Sequence, residues 1–354
     1  MKNLEKYLGL LTGEVDGLLL TSRYSRYYCG EHDIAEGVAL ITRAGCCYYT
    51  DFRYIEDAQK GIRNMQLKMV DKENTYVKLL NEDIAAFGVK TLGYEEEYLT
   101  AGELAEYEKK LNASLVPMQQ KISAFRAVKE PWELELMRKA QAIADQAFTE
   151  VLGRVKAGMT EKQLQAELIY CLYKNGGEGL SFDPIVVSGP NTSLPHGVAG
   201  DRVIREGDFV TMDFGVLYKG YCSDMTRTVA VGYATEEMKK VYDTVLQAQL
   251  AGIAATKAGV TGKSVDAAAR QVIEEAGFGE YFGHGYGHSL GLEVHESPNC
   301  NPREETVMQE NMVCSAEPGI YLPGKFGVRI EDVVVFTADG CENITASPKI
   351  LLIV

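Results

Sequence analysis

At 354 residues the chain can bury a large core, and its length suits two domains. Its hydrophobic fraction of 46% and charged fraction of 24% are those of a soluble globular protein. A net charge of −14 argues against a surface built to neutralise phosphates, so nucleic acid is not an expected partner.

Eight cysteines are scattered without a C-x-x-C pair, which excludes a zinc knuckle or thioredoxin motif and suits a reducing, cytoplasmic setting. Glu14 and Asp16 interrupt the apolar run near the N-terminus, so no secretory leader is expected. No apolar run reaches the length of about 18 residues that a membrane span needs.

Residues 1–122 alternate strand-like and helix-like segments. Asp16–Thr21 reads as a buried strand, and Val38–Thr42 with Cys46–Thr50 as a hairpin about Arg43-Ala44-Gly45. Arg53–Lys60 reads as helix, and Thr100-Ala-Gly-Glu103 as a capping box opening the helix Glu103–Leu111. This alternation predicts an α/β layer domain whose chemistry is unreadable, with His32 a surface or packing residue.

A second domain is expected over residues 123–354. Pro131 suits a first helical turn, and apolar residues from Leu136 to Val155 recur at helical spacing, with Gly158 predicted to end the helix. Thr160-Glu-Lys-Gln163 caps a second helix that runs to about Asn175. Lys156-Ala-Gly-Met-Thr160 then recurs as Lys257-Ala-Gly-Val-Thr261, after a helix over about Glu236–Thr256. Downstream, His196 matches His295, Asp213 matches Glu317 and Asp224 matches Glu331. Two copies of a helix–helix–sheet unit about an approximate two-fold axis follow.

The repeat brings four acids together. A hairpin centred on Tyr218–Lys219 places Asp213 opposite Asp224, and one centred on Gly324 places Glu317 opposite Glu331. Like charges so paired destabilise a sheet unless a cation lies between them. Two divalent ions would balance four carboxylates, with a histidine completing the set. The glycine-spaced stretch His284-Gly-Tyr-Gly-His288-Ser-Leu-Gly-Leu-Glu-Val-His295 is too rich in glycine for a helix and presents imidazoles from extended or looped backbone. Which histidine serves is left open by these patterns.

The segments Asp213-Phe-Gly, Ser223-Asp224-Met-Thr-Arg227, Gly283 to Glu296, Glu317-Pro-Gly-Ile-Tyr321 and Gly327-Val-Arg329-Ile-Glu331 closely resemble the pita-bread metallopeptidases. These include methionine aminopeptidases, prolidases and aminopeptidase P. The resemblance covers roughly residues 125–354, and the domain around Thr50-Asp-Phe-Arg-Tyr54 resembles the N-terminal domain of the Xaa-Pro peptidase and creatinase branch.

It implies an α+β fold: a pita-bread domain of two pseudo-symmetric helix–helix–antiparallel-sheet halves behind an α/β creatinase-like domain. It also implies Asp213, Asp224, His288, Glu317 and Glu331 as metal ligands. His196, His284 and His295 would line the substrate site, and Arg329 would hold a ligand carboxylate.

Oxygen-rich donors with one histidine favour Mn²⁺, with Co²⁺ or Zn²⁺ as alternatives. The implied function is removal of an N-terminal residue before proline, with Glu317 carrying the proton and His295 and His196 assisting. An Xaa-Pro dipeptidase is the alternative, and a non-catalytic binding protein on the same fold a third reading. The resemblance further implies a homodimer.

Overall fold

The computed structural model describes residues 2–354 and divides into two compact units, Met1–Arg126 and Ala127–Val354. The helix Gln119–Ala127 runs through residue 122 to the junction between them. No helix among the described residues is long and apolar enough to cross a membrane.

The first unit is built on a six-stranded sheet in the order Gln66–Val70, Cys46–Asp51, Val38–Thr42, Gly17–Leu20, Thr91–Tyr94 and Ser114–Pro117. The central hairpin is antiparallel and the outer pairs are parallel, as helical crossovers require. The inner strands Gly17–Leu20 and Val38–Thr42 are buried along their whole length because both faces are covered, and Leu19, Leu40, Tyr49, Leu80 and Leu92 pack together in one core. The capping box at Thr100 and Glu103 forms, with the helix beginning at Ala101.

The second unit opens with the helix Pro131–Leu152, with proline in its first turn. It stops at Gly153 rather than at Gly158. Val155 continues the apolar spacing because it packs in the core from irregular backbone, and Gly158, at φ 93°, makes the turn that feeds Thr160. The next helix, Glu161–Lys174, starts from the expected Thr160–Gln163 capping box.

The second half repeats this plan with the helices Glu236–Ala255 and Gly262–Glu275. Matching positions make matching bonds. The Gly158 N–H donates to Ile204 O at 2.9 Å, and that of Gly259 to Met308 O at 2.8 Å. Thr160 bridges Val203, and Thr261 bridges Val307.

Each half ends in antiparallel strands that carry the acids. In the first, Phe209–Phe214 pairs with Met225–Ala230, and Asp213 faces Thr226 rather than Asp224. The register is two residues from the expected one because the turn lies at Lys219–Gly220. Both residues have positive φ, 48° and 77°, which makes a two-residue hairpin loop matched to strand twist. A shift of two keeps both acids on one face but makes them diagonal neighbours. The second hairpin has the expected register: Gly319 pairs Arg329 and Leu322 pairs Phe326 about Gly324, at φ 73°.

Candidate metal centre

Strand ends place the acids. Asp213 lies one residue from the end of its strand, and Asp224 immediately precedes Met225–Ala230. Glu317 follows the strand Val313–Ala316, and Glu331 sits between Phe326–Arg329 and Asp332–Phe336. His288 is the middle residue of the short strand Gly287–Ser289. That strand can lie where it does only because residue 287 is glycine: a Cβ there would come within 1.9 Å of the Ser315 carbonyl oxygen.

All of the acids and histidines singled out in the second domain, with Arg329, line one cavity of about 440 Å³. His288 Nε2 lies 3.3 Å from Glu317 Oε1 and 3.6 Å from Asp224 Oδ2. Asp224, His288 and Glu331 each offer a ligand atom within 4.8 Å of the others. The Oδ1 atoms of Asp213 and Asp224 are buried without a hydrogen-bond partner. Buried carboxylate oxygens facing one another, two of them unpartnered, are costly unless a cation shares them, so this donor set fits divalent metal.

Burial pushes the Asp224 carboxyl well above the usual carboxylate range, with Asp213 and Glu317 adding to it. Burial raises Glu331 likewise, aided by Asp224 and Glu317, and raises Glu317. The imidazoles of His284, His288 and His295 are all lowered by burial, which keeps them neutral.

Around the acids runs a polar frame that sequence reasoning saw only in part. Arg329 donates through Nη2 to Asp213 Oδ2, through Nε to Thr226 Oγ1 at 3.1 Å, and through Nη1 to Pro195 O at 3.2 Å and Tyr321 Oη at 2.9 Å. Thr226 Oγ1–H in turn donates to Glu331 Oε2 at 2.7 Å. Tyr321 accepts from Arg329, so its own hydroxyl donates to His284 Nε2 at 3.0 Å, leaving Nδ1–H to donate to Gly285 O at 2.8 Å. Both ring nitrogens of His284 are therefore engaged within the protein. The His288 and His295 rings meet edge-on at 4.4 Å. Thr226 and Tyr321 lay within the quoted motifs but carried no signal of their own, because their partners lie far away in the chain.

Arg329→Lys keeps the charge but cannot hold this fork of partners. It should lower metal affinity and kcat/KM by about 10- to 100-fold, read by metal titration beside steady-state kinetics. Native values for both would remove Arg329 from the frame.

Comparison with known proteins gives the family. Residues 135–338 match the model of metallopeptidase family M24, and residues 7–128 match the Creatinase/Prolidase N-terminal domain. A solved Xaa-Pro dipeptidase from Bacillus anthracis is similar over 100% of this chain and 99% of its own, at 40% identity and a TM-score of 0.96. A solved X-Pro aminopeptidase from Thermotoga maritima is similar over 99% of both chains, at 36% identity and a TM-score of 0.93. A Xaa-Pro dipeptidase of Pyrococcus horikoshii is 37% identical over 96% of this chain and 95% of its own. With its acids and histidine gathered at one cavity of a pita-bread α+β domain, the chain belongs to metallopeptidase family M24.

Proposed function

We propose that this chain is a dinuclear-metal Xaa-Pro dipeptidase. The observation that carries the reading is the convergence of Asp213, Asp224, His288, Glu317 and Glu331 on one cavity, with carboxylate oxygens of Asp213 and Asp224 left unpartnered. The aminopeptidase reading that the motifs first favoured gives way to its alternative. The Bacillus anthracis and Pyrococcus horikoshii relatives are both named Xaa-Pro dipeptidases, whereas the Thermotoga maritima relative supports the aminopeptidase reading.

The five residues would hold two divalent ions. Mn²⁺ is proposed because four of the five donors are carboxylates, with Co²⁺ or Zn²⁺ as alternatives. When bound, such ions supply Lewis-acid activation of water and of the scissile carbonyl. In this reading Glu317 takes a proton from water and returns it to the leaving proline nitrogen. His295 and His196 donate hydrogen bonds to the peptide carbonyl oxygen. The wall formed by Phe182, Ile185, Pro195 and Val294 takes the substrate's apolar surface. His284 acts through Tyr321 and Arg329 rather than on the substrate's polar atoms. A cytoplasmic homodimer completes the proposal, and the eight free thiols support the compartment.

The test is hydrolysis of Ala-Pro beside Ala-Pro-Ala with Mn²⁺ supplied and Asp224→Ala as control. Cleavage mainly of the dipeptide is expected. Cleavage mainly of the tripeptide would replace this reading with the aminopeptidase.

A further inference from the structure

The loop that follows the strand Ile185–Ser188 brings Pro195 and His196 to the wall of the metal cavity. His196 is exposed there, and among the described residues no hydrogen bond holds its ring. Its aim is therefore set by the backbone on either side.

One carboxylate grips both ends of that loop. Glu161, in the first turn of its helix, is 0% exposed. Its Oε1 accepts from the Ser188 N–H at 2.7 Å, the Ser188 hydroxyl at 2.9 Å and Asn191 Nδ2 at 3.0 Å. Its Oε2 accepts from the Gly200 N–H at 2.9 Å. A buried carboxylate is costly unless its lone pairs are filled, and here the loop fills them. The far side of the loop is tied to the second half of the repeat, where the Gly327 N–H donates to Thr192 Oγ1 at 2.8 Å and Arg329 to Pro195 O.

The second half places an acid at the same junction from the opposite side. The Lys162 N–H donates to Gly200 O at 3.2 Å, and that of Lys263 to Glu304 O at 2.8 Å, so Glu161 corresponds to Gly262 and Gly200 to Glu304. Acid and glycine have changed places. A Cβ at Gly262 would come within 2.1 Å of Asn299 O and 2.8 Å of Glu304 Cγ. Glu304 instead reaches back to accept from the N–H groups of Asn299 at 3.3 Å and Thr306 at 3.0 Å, and Asn299 also lines the cavity. The helix Gly262–Glu275 has no acid in its first turn, so starting such a helix does not require Glu161. What both halves keep is a carboxylate bound to the backbone that feeds the cavity.

We propose that Glu161 is a positioning residue for His196: its buried carboxylate fixes residues 188–200 and so aims the imidazole at the scissile carbonyl. The inference rests on the part given to His196 in the Xaa-Pro dipeptidase reading.

The experiment is a double-mutant cycle on hydrolysis of Ala-Pro with Mn²⁺, using Glu161→Gln, His196→Ala and the pair. An amide accepts on one side only, so Glu161→Gln turns an NH₂ group against a backbone N–H of the loop. It should lower kcat about tenfold, with KM and the Mn²⁺ affinity from calorimetric titration near native. In the His196→Ala background the same change should cost less than about twofold, because the residue it aims is gone. Asn191→Ala removes one donor from the carboxylate and no charge. It should give a smaller loss with the same dependence on His196, and it carries the test if Glu161→Gln does not fold. An equal loss in both backgrounds, no loss in either, or a fall in Mn²⁺ affinity that matches the fall in kcat overturns the inference while the dipeptidase reading stands. Native kcat in His196→Ala removes His196 from the proposed function and this inference with it. If native enzyme cleaves Ala-Pro-Ala and leaves Ala-Pro intact, the dipeptidase reading fails, and the same cycle on the tripeptide decides the inference.

Discussion

Asp224→Asn is expected to lower kcat/KM by about a thousandfold or more while leaving the metal-free protein at least as stable as the native chain. Asp224 lies beside His288 and within reach of Glu331, and one of its oxygens has no partner in the protein. Each 1.36 kcal/mol is about tenfold in rate, so a thousandfold loss corresponds to about 4 kcal/mol of lost transition-state stabilisation. Without metal the sign reverses. Burial and the neighbouring Asp213 and Glu317 already press the Asp224 carboxyl toward its neutral form, so an amide relieves repulsion. Turnover and metal-free Tm are thus expected to move independently, which a folding defect could not produce. Near-native turnover in Asp224→Asn would end the proposed role.

Metal binding is expected to release protons, and the Tm gap between metal-loaded and metal-free protein should widen as pH rises from about 5 to about 8. The sign follows from the three raised carboxyls, Asp224, Glu317 and Glu331. Their folded pKa values exceed the unfolded ones, so the metal-free fold holds protons that the unfolded chain has lost. That contribution is complete below the unfolded value of about 4 and disappears as pH rises through the folded values. A divalent ion must displace those protons and therefore competes better at higher pH. Burial lowers the His288 and His295 imidazoles, which favours their neutral form, so they do not oppose it. At about 1,000 times its Kd the ion stabilises by about 4 kcal/mol. Thermal scans with and without Mn²⁺ across the range, with proton release read by calorimetry in two buffers, measure both effects. A gap that narrows toward alkaline pH would contradict this linkage.

How much could be read before the structure depended on how local the cause was. Capping boxes at Thr100 and Thr160, and the proline that starts the helix at 131, are short-range chemistry and form as the sequence indicates. The Gly324 hairpin was legible for the same reason. Asp213 facing Thr226 was not, because the competing turn at Lys219–Gly220 required a positive φ at a lysine. Val155 gave a helical signal although its burial comes from tertiary packing. The four acids were found through the repeat, whereas the choice of His288 needed the family's pattern. The links from Thr226 to Glu331 and Arg329 join residues 105 and 103 positions apart, a distance that no local pattern encodes.

Those links have a consequence for how the centre is assembled. Asp213 belongs to the first half of the repeat and Arg329 to the second, and Thr226 joins Glu331 across the same divide. The clasp is made entirely of protein atoms, so the donors are preorganised and an arriving ion does not have to recruit them from a slack chain. Much of the ordering entropy is settled when the chain folds, so an ion that binds the persistent frame does not bear that cost.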